Sequence, residues 1–206
     1  MPCRRKSGII GKENSFYLFD PEKKIRFGTG SRNCRPCMYG IGSHCGAEQS
    51  EGETVMIHLE EITEDNWMDV ASLSVNDTQK QFLAPAIGII ARGYVYRNCG
   101  GKVIVIEDGD TIVGVALVRE FTDEPLGYDL QQFMIDQRYQ GRGYGSAALN
   151  LILDGLRSEG HYDHVEVCVK KDDAEAIRLY EKHGFTDSGY YDEDVPDSLN
   201  MICRLF

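Results

Sequence analysis

From Met56 onward the apolar and polar positions follow two periods, and the period changes from one short segment to the next. Met56 to Ile62 reads as a short strand. Thr63 then stands as an N-cap before a helix predicted over Glu64 to Ser74. Pro85 suits a first helical turn, so a second helix is expected from there to about Arg92. Lys102 to Glu107 and Thr111 to Arg119 are β-branched runs joined by Asp108-Gly109-Asp110, a two-strand hairpin signal. After the turn-rich Thr122 to Gly127, Tyr128 to Ile135 predicts another strand. A Gly-rich loop follows, and then a helix with Leu149, Ile152, Leu153 and Leu156 at the i, i+3, i+4, i+7 spacing of one buried face. Gly155 weakens that helix somewhat. Val165 to Val169 reads as strand and Asp173 to His183 as helix, with Gly184 as its C-cap. Two last strands fit near Phe185 to Tyr191 and Leu199 to Leu205. This order predicts an α/β chain with a mixed sheet and helices on both faces.

The first 55 residues break the pattern. They are rich in Gly, Ser, Arg and Cys, and only Ser15 to Phe27, with Asp20-Pro21 at its turn, resembles a hairpin. Charge divides the chain at the same place: residues 1–55 carry 9 Lys+Arg against 6 Asp+Glu, while residues 56–206 carry 13 against 27. We therefore expect an N-terminal extension over 1–55 and one domain over 56–206. The overall charge of −11 argues against a nucleic-acid binder, which needs clustered Lys and Arg, and favours a cationic partner. No apolar run approaches the roughly 20 residues that span a bilayer, and Arg4, Arg5 and Lys6 are followed by no apolar signal core. The expectation is a cytoplasmic protein with no membrane partner.

Seven cysteines without a secretion signal do not form a disulfide framework. Cys168 and Cys203 fall in strand-like runs, where buried, inert thiols are expected. Cys34, Cys37 and Cys45, with His44 and the distant Cys3, have the chemistry of a tetrahedral zinc site but lack the second CxxC of a ribbon. The competing readings of residues 1–55 are an appended tail and a reading frame extended upstream of a start at Met56. Of these, no metal is the expectation.

Candidate chemistry concentrates in Gln140-Gly141-Arg142-Gly143-Tyr144-Gly145, between a predicted strand and a predicted helix. Alternate glycines let the backbone turn its N–H groups into one cavity, and the helix N-terminus adds partial positive charge, which suits a pyrophosphate. The spacing is neither the dinucleotide G-x-G-x-x-G nor a Walker motif. A purely structural turn is the alternative.

Gln140, Gly143 and Gly145 resemble the Q/R-x-x-G-x-G/A motif of the GNAT N-acetyltransferases. Ala176 to Phe185 is similar to that family's A-x-x-L-Y-x-x-x-G-F block, and the resemblance covers about residues 56–206. Glu64 to Trp67, Gln81 to Pro85 and Phe133 to Asp136 resemble the spermine/spermidine acetyltransferase branch. The resemblance implies a mostly antiparallel mixed sheet whose fourth and fifth strands splay apart around acetyl-CoA. It also implies that Phe133, Met134 and Ile135 flank the pantetheine arm, Met134 and Ile135 through their backbone, with core packing the alternative for all three side chains. Gln140 to Gly145 and Ser146 would hold the pyrophosphate. Tyr180 matches the tyrosine that acts as general acid, protonating the leaving thiolate; packing on the sheet is its bland alternative. Where the family often has Asn, this chain has Asp173, which would touch the cofactor or serve only as a helix N-cap.

A polyamine acceptor is cationic at neutral pH, so its cleft needs carboxylates. Glu60, Glu61 and Asp77 are the candidates, with Glu64, Asp65 and the Asp192-Glu193-Asp194 run behind them. Each has a solvated surface role as its alternative, and the histidines have no trusted ligand spacing. The function implied is direct acetyl transfer from acetyl-CoA to a primary amine such as spermine or spermidine, in a ternary complex. Another amine (an aminoglycoside, an amino acid or a protein amino group) and a non-catalytic acyl-CoA sensor are the alternatives. A homodimer follows only by analogy with the family.

Overall fold

The structure is a computed structural model that describes residues 56–206. The expected hairpin over Ser15 to Phe27 and the possible ligands Cys3, Cys34, Cys37, His44 and Cys45 lie outside the described residues.

The chain runs β1 (Ile57–Glu61), α1 (Trp67–Ala71), α2 (Ala86–Val95), a 3-10 turn (Arg97–Cys99), β2 (Lys102–Asp108), β3 (Thr111–Glu120), β4 (Tyr128–Ile135), α3 (Tyr144–Glu159), β5 (His164–Lys170), α4 (Ala174–Lys182), β6 (Thr186–Asp187) and β7 (Ser198–Arg204). Among the described residues the strands form one sheet in the order β1-β2-β3-β4-β5-β7-β6. Every neighbouring pair is antiparallel except β4 and β5, which run parallel. The mixed, mostly antiparallel sheet expected from the sequence is present.

Strand alternation sends side chains to two cores. On one face α3 buries Ala148, Leu149, Ile152, Leu153 and Leu156 among Ile104, Ile106, Leu130 and Val165. On the other, Val70 of α1 and Ala86 and Ile89 of α2 pack against Val105, Val115, Leu117 and Met134. Gly155 does not interrupt α3, because the apolar stripe around it secures the helix by packing.

Three elements differ from expectation. The first helix begins at Trp67 and ends at Ala71, not over Glu64 to Ser74. Thr63 Oγ1 accepts from the N–H groups of Asp65 and Asn66 at 3.3 Å, and Asn66 Oδ1 accepts from the Thr63 N–H at 2.7 Å. These side-chain bonds hold residues 63–66 as a turn and delay the helix. The second helix runs on to Val95. The strand expected over Phe185 to Tyr191 shrinks to Thr186–Asp187, since Asp187 Oδ1 accepts from the Gly189 N–H at 2.8 Å and turns the chain there.

Candidate active site

The centre of the molecule is where β4 leaves β5. Their parallel ladder holds only Tyr128↔Val165 and Asp129↔Glu166. Beyond that rung the strands diverge, as the splay of the fourth and fifth strands requires. A bulge reinforces the divergence: Leu117 pairs with Gln132 and Val118 with Leu130, leaving Gln131 as the extra residue of β4. Such bulges bend a strand and re-aim its side chains. Phe133, Met134 and Ile135 line a cavity of about 220 Å³ at the open end of the splay, together with Gly145 and Leu179. Their side chains also pack in the cores, as the packing alternative for these three residues expects.

The loop after Ile135 is held from below. Asp136, fully buried, accepts from Arg138 Nε at 2.7 Å, the Arg138 N–H at 2.9 Å and the Ser74 N–H at 2.9 Å. Burial opposes its ionisation, but the bonds from Arg138 and Ser74 outweigh that and hold the carboxyl below its ordinary range. Gln140 donates to Ile135 O at 2.9 Å and to Gln79 Oε1 at 3.1 Å, so its amide fastens the loop. Tyr144 is buried and donates to Asp108 Oδ2 at 2.6 Å. Arg142 lies exposed, its guanidinium 5.9 Å from the Tyr139 ring centroid.

Gly143 is the N-cap of α3, with φ 88. A left-handed backbone of this kind is strained for any residue with a Cβ. The first-turn amides of Gly145 and Ser146 have no intrahelical acceptor. A Cβ added at Gly141 or Gly143 would meet no heavy atom within 4 Å, so open space lies over these glycines. Open space, orphan donors and the positive end of a helix fit a diphosphate.

Across the cavity stand Asp173, Ala176 and Leu179 of the α4 segment. Asp173 Oδ1 accepts from the Ala176 N–H at 3.1 Å, so the N-cap reading of this residue is realised while it also lines the cavity. Tyr180 is 5% exposed and tilted against Phe185, with ring centroids 5.3 Å apart. Burial and the charge of Asp173 push its phenol well above the ordinary value. Tyr180 lines neither described cavity.

On the α1–α2 face of the splay a larger cavity of about 390 Å³ opens. Asp123, Asp129, Glu166 and Asp192 line it, as do Arg92, Arg119 and Lys170. Arg119 Nε donates to Asp129 Oδ2 at 2.7 Å in a nearly buried pair. Burial pushes the Asp129 carboxyl up, Arg119 opposes the push, and the neighbouring Glu166 charge adds to it. One buried oxygen each of Asp123 and Gln131 has no hydrogen-bond partner. Glu60, Glu61 and Asp77 line neither cavity: the glutamates are exposed on the edge strand β1, and Asp77 pairs with Lys80 at 2.6 Å. Glu64, Asp65, Glu193 and Asp194 are exposed as well; of the whole acidic set only Asp192 reaches the cleft. Cys203 is buried as expected, but Cys168 is exposed and lines the cleft, because the alternation of β5 turns it outward.

Sequence reasoning passed over Asp129, Glu166, Arg119 and Asp136. Asp129 and Glu166 lie in strand runs that read as framework, and only the parallel rung brings them together. The signal for Asp136 was its place directly after an apolar strand and before the Gly-rich loop.

A sheet split between two parallel strands, with a glycine cradle at a helix N-terminus on one side and a charged cleft on the other, is the architecture of an acyl-CoA-dependent transferase. The family model for the Acetyltransferase (GNAT) family matches residues 59–185, and the chain belongs to that family. It is 26% identical over 148 residues to the spermine/spermidine N(1)-acetyltransferase of Bacillus subtilis, covering 66% of this chain and 91% of that protein. It is 36% identical over 83 residues to the mycothiol acetyltransferase of Beutenbergia cavernae, covering 40% of this chain and 27% of that protein. The fold is similar, at TM-score 0.60 and 18% identity, to a spermidine N-acetyltransferase from Vibrio cholerae solved with CoA and spermine, covering 72% of this chain and 95% of that one. The chain is an acetyl-CoA-dependent N-acetyltransferase. Among the described residues no helix is long and apolar enough to cross a membrane.

Proposed function

We propose that the acceptor is a polyamine of the spermidine or spermine class, bound in the 390 Å³ cleft. The observation that carries this reading is the rung Asp129↔Glu166. Both carboxylates of the rung face the cleft; Asp129 is paired with Arg119, and Glu166 lies 3.7 Å from His164 Nε2. Arg119 answers the Asp129 carboxylate, which leaves Glu166 as the member of the rung that faces the cleft without an arginine and can meet a cation. Glu166 takes that role, and the unpartnered Asp123 oxygen offers a second acceptor for a further ammonium group. The similarity to the Bacillus spermine/spermidine enzyme supports the same class.

On the other side of the splay, the amides of Gly145 and Ser146 would hold the diphosphate, and the edge of β4 beyond Asp129 would take the pantetheine. Bound acetyl-CoA supplies the acetyl group as a thioester open to attack by an unprotonated amine. Glu166 and Asp129 orient the acceptor's nitrogen, and the cleft confines it near the splay. Tyr180, next in α4 to the cavity-lining Leu179, gives its Oη proton to the departing sulfur, and the proton shed by the nitrogen on forming the amide passes to water.

A panel of amines with acetyl-CoA, followed by release of free thiol, tests the reading. Release selective for spermidine and spermine is expected. Release only with an amine that carries a single charge overturns the polyamine assignment.

A further inference from the structure

Ser146 stands in the first turn of α3, beside the cradle assigned above to the diphosphate, and its hydroxyl is not independent. Ser146 Oγ lies 2.8 Å from His183 Nε2, and His183 Nδ1 lies 2.8 Å from Asn150 Oδ1. The Asn150 oxygen can only accept, so Nδ1 carries a proton. In the neutral imidazole Nε2 is then a bare acceptor, and it takes the one proton that the Ser146 hydroxyl has. Ser146 is left with lone pairs alone to turn towards the cradle, which is the wrong polarity for an anion.

We propose that His183 is a positioning residue for the cofactor, gaining a proton when the diphosphate binds and thereby freeing the Ser146 hydroxyl to donate to a phosphate oxygen. The proposal rests on the reading of residues 140–146 as the diphosphate site. In the doubly protonated ring Nδ1 still donates to Asn150, and Nε2 now donates to Ser146 Oγ. The hydroxyl proton is released to the phosphate, and the imidazolium charge balances part of the anion's. In the free protein burial, helped by the charge of Lys182, holds His183 below its ordinary pKa, so the proton has to be taken up on binding. The groups facing the ring are Ser146 and Asn150 of α3 and Lys182 of its own helix. From β7 the Cys203 thiol meets the His183 carbonyl at 3.6 Å, and burial pushes that thiol up, so it stays neutral.

The sign is fixed by this cycle. Binding raises the His183 pKa, so affinity is fullest below the free-state value and is lost as pH rises through the bound-state value. At its steepest the loss is about tenfold per pH unit for a single proton.

Calorimetry on the full chain with 3′-dephospho-CoA tests this, because that ligand's diphosphate stays fully ionised and any proton taken up belongs to the protein. Titrations at pH 6.5 in two buffers of different ionisation enthalpy count the proton. The wild type is expected to take up a substantial fraction of one proton, with its Kd weakening towards pH 8. Ser146→Ala is expected to lose the uptake. His183→Gln is expected to bind with an affinity that no longer varies with pH, because its carboxamide N–H can donate to Ser146 Oγ without titrating. Wild-type binding with no proton uptake, or uptake that persists in His183→Gln, overturns the proposal alone. Absence of heat with both CoA and its dephospho form overturns the loop assignment beneath it.

Discussion

Replacing Gly143 by leucine separates folding from cofactor binding, because the structure assigns the two effects different sizes. A Cβ at this position touches nothing within 4 Å, so the folded chain suffers no clash. It suffers only the strain of φ 88, about 1–2 kcal/mol for an L-residue in the left-handed region. For a domain of this size each kcal/mol lowers Tm by roughly 2–4 °C, so the variant is expected to melt about 2–8 °C early and otherwise fold normally. Binding is another matter, since the isobutyl group fills the space over the first-turn amides. Hydrogen bonds to a charged group are worth about 1.5–3 kcal/mol each, so losing two costs about 3–6 kcal/mol. That is a loss of more than about 100-fold in affinity for CoA. Calorimetry beside a thermal melt reads both numbers. A folded Gly143→Leu protein whose Kd for CoA stays within about threefold of wild type would refute the diphosphate cradle.

Tyr180→Phe removes the proposed proton donor while keeping its packing on Phe185, so acetyl-CoA affinity is expected to hold while kcat falls by roughly 100- to 10,000-fold. Unchanged steady-state turnover removes Tyr180 from the chemistry. Glu166→Gln keeps the shape of the cleft and deletes one of its charges; KM for spermidine is expected to rise about tenfold, the size of a lost charge-assisted bond, with kcat little changed. An equal KM effect on a singly charged amine counts against a polyamine subsite. Asp136→Asn is expected to cost roughly 1.5–3 kcal/mol at pH 7, measured by urea unfolding, since Ser74 and Arg138 lose a charged acceptor. Its folded-state pKa is depressed, so its contribution is complete above the unfolded aspartate value of about 4 and disappears as pH falls through the folded value. The gap between wild type and Asp136→Asn should therefore close in acid.

Much of the framework was open to inspection along the chain. The hairpin of β2 and β3 announces itself through β-branched runs around Asp108-Gly109-Asp110, and α3 through its leucine and isoleucine stripe, because both signals are local and repeat at the period of the element. The boundary of α1 was not legible: a helix pattern and a side-chain-capped turn compete at Thr63 and Asn66, and single hydrogen bonds decide between them. Of the candidate site, the glycines at 141 and 143 could be read directly, since a left-handed turn before a helix demands them. The acidic acceptor candidates could not, because composition shows how many carboxylates exist and not which ones share a cavity.

The chain by itself determined which segments become strands and helices, where the helix-capping cradle lies, and the class of cofactor such a cradle suits. Those properties depend on neighbours within a few residues, where backbone geometry and periodicity leave little choice. Tertiary structure alone decided that Asp129 and Glu166, 37 positions apart in sequence, close the last rung before the splay, and that Ser146 Oγ and His183 Nε2 come within 2.8 Å. Pairings of that kind depend on strand register and on how a helix lies across a sheet, which many distant apolar contacts settle together and no short stretch of sequence encodes.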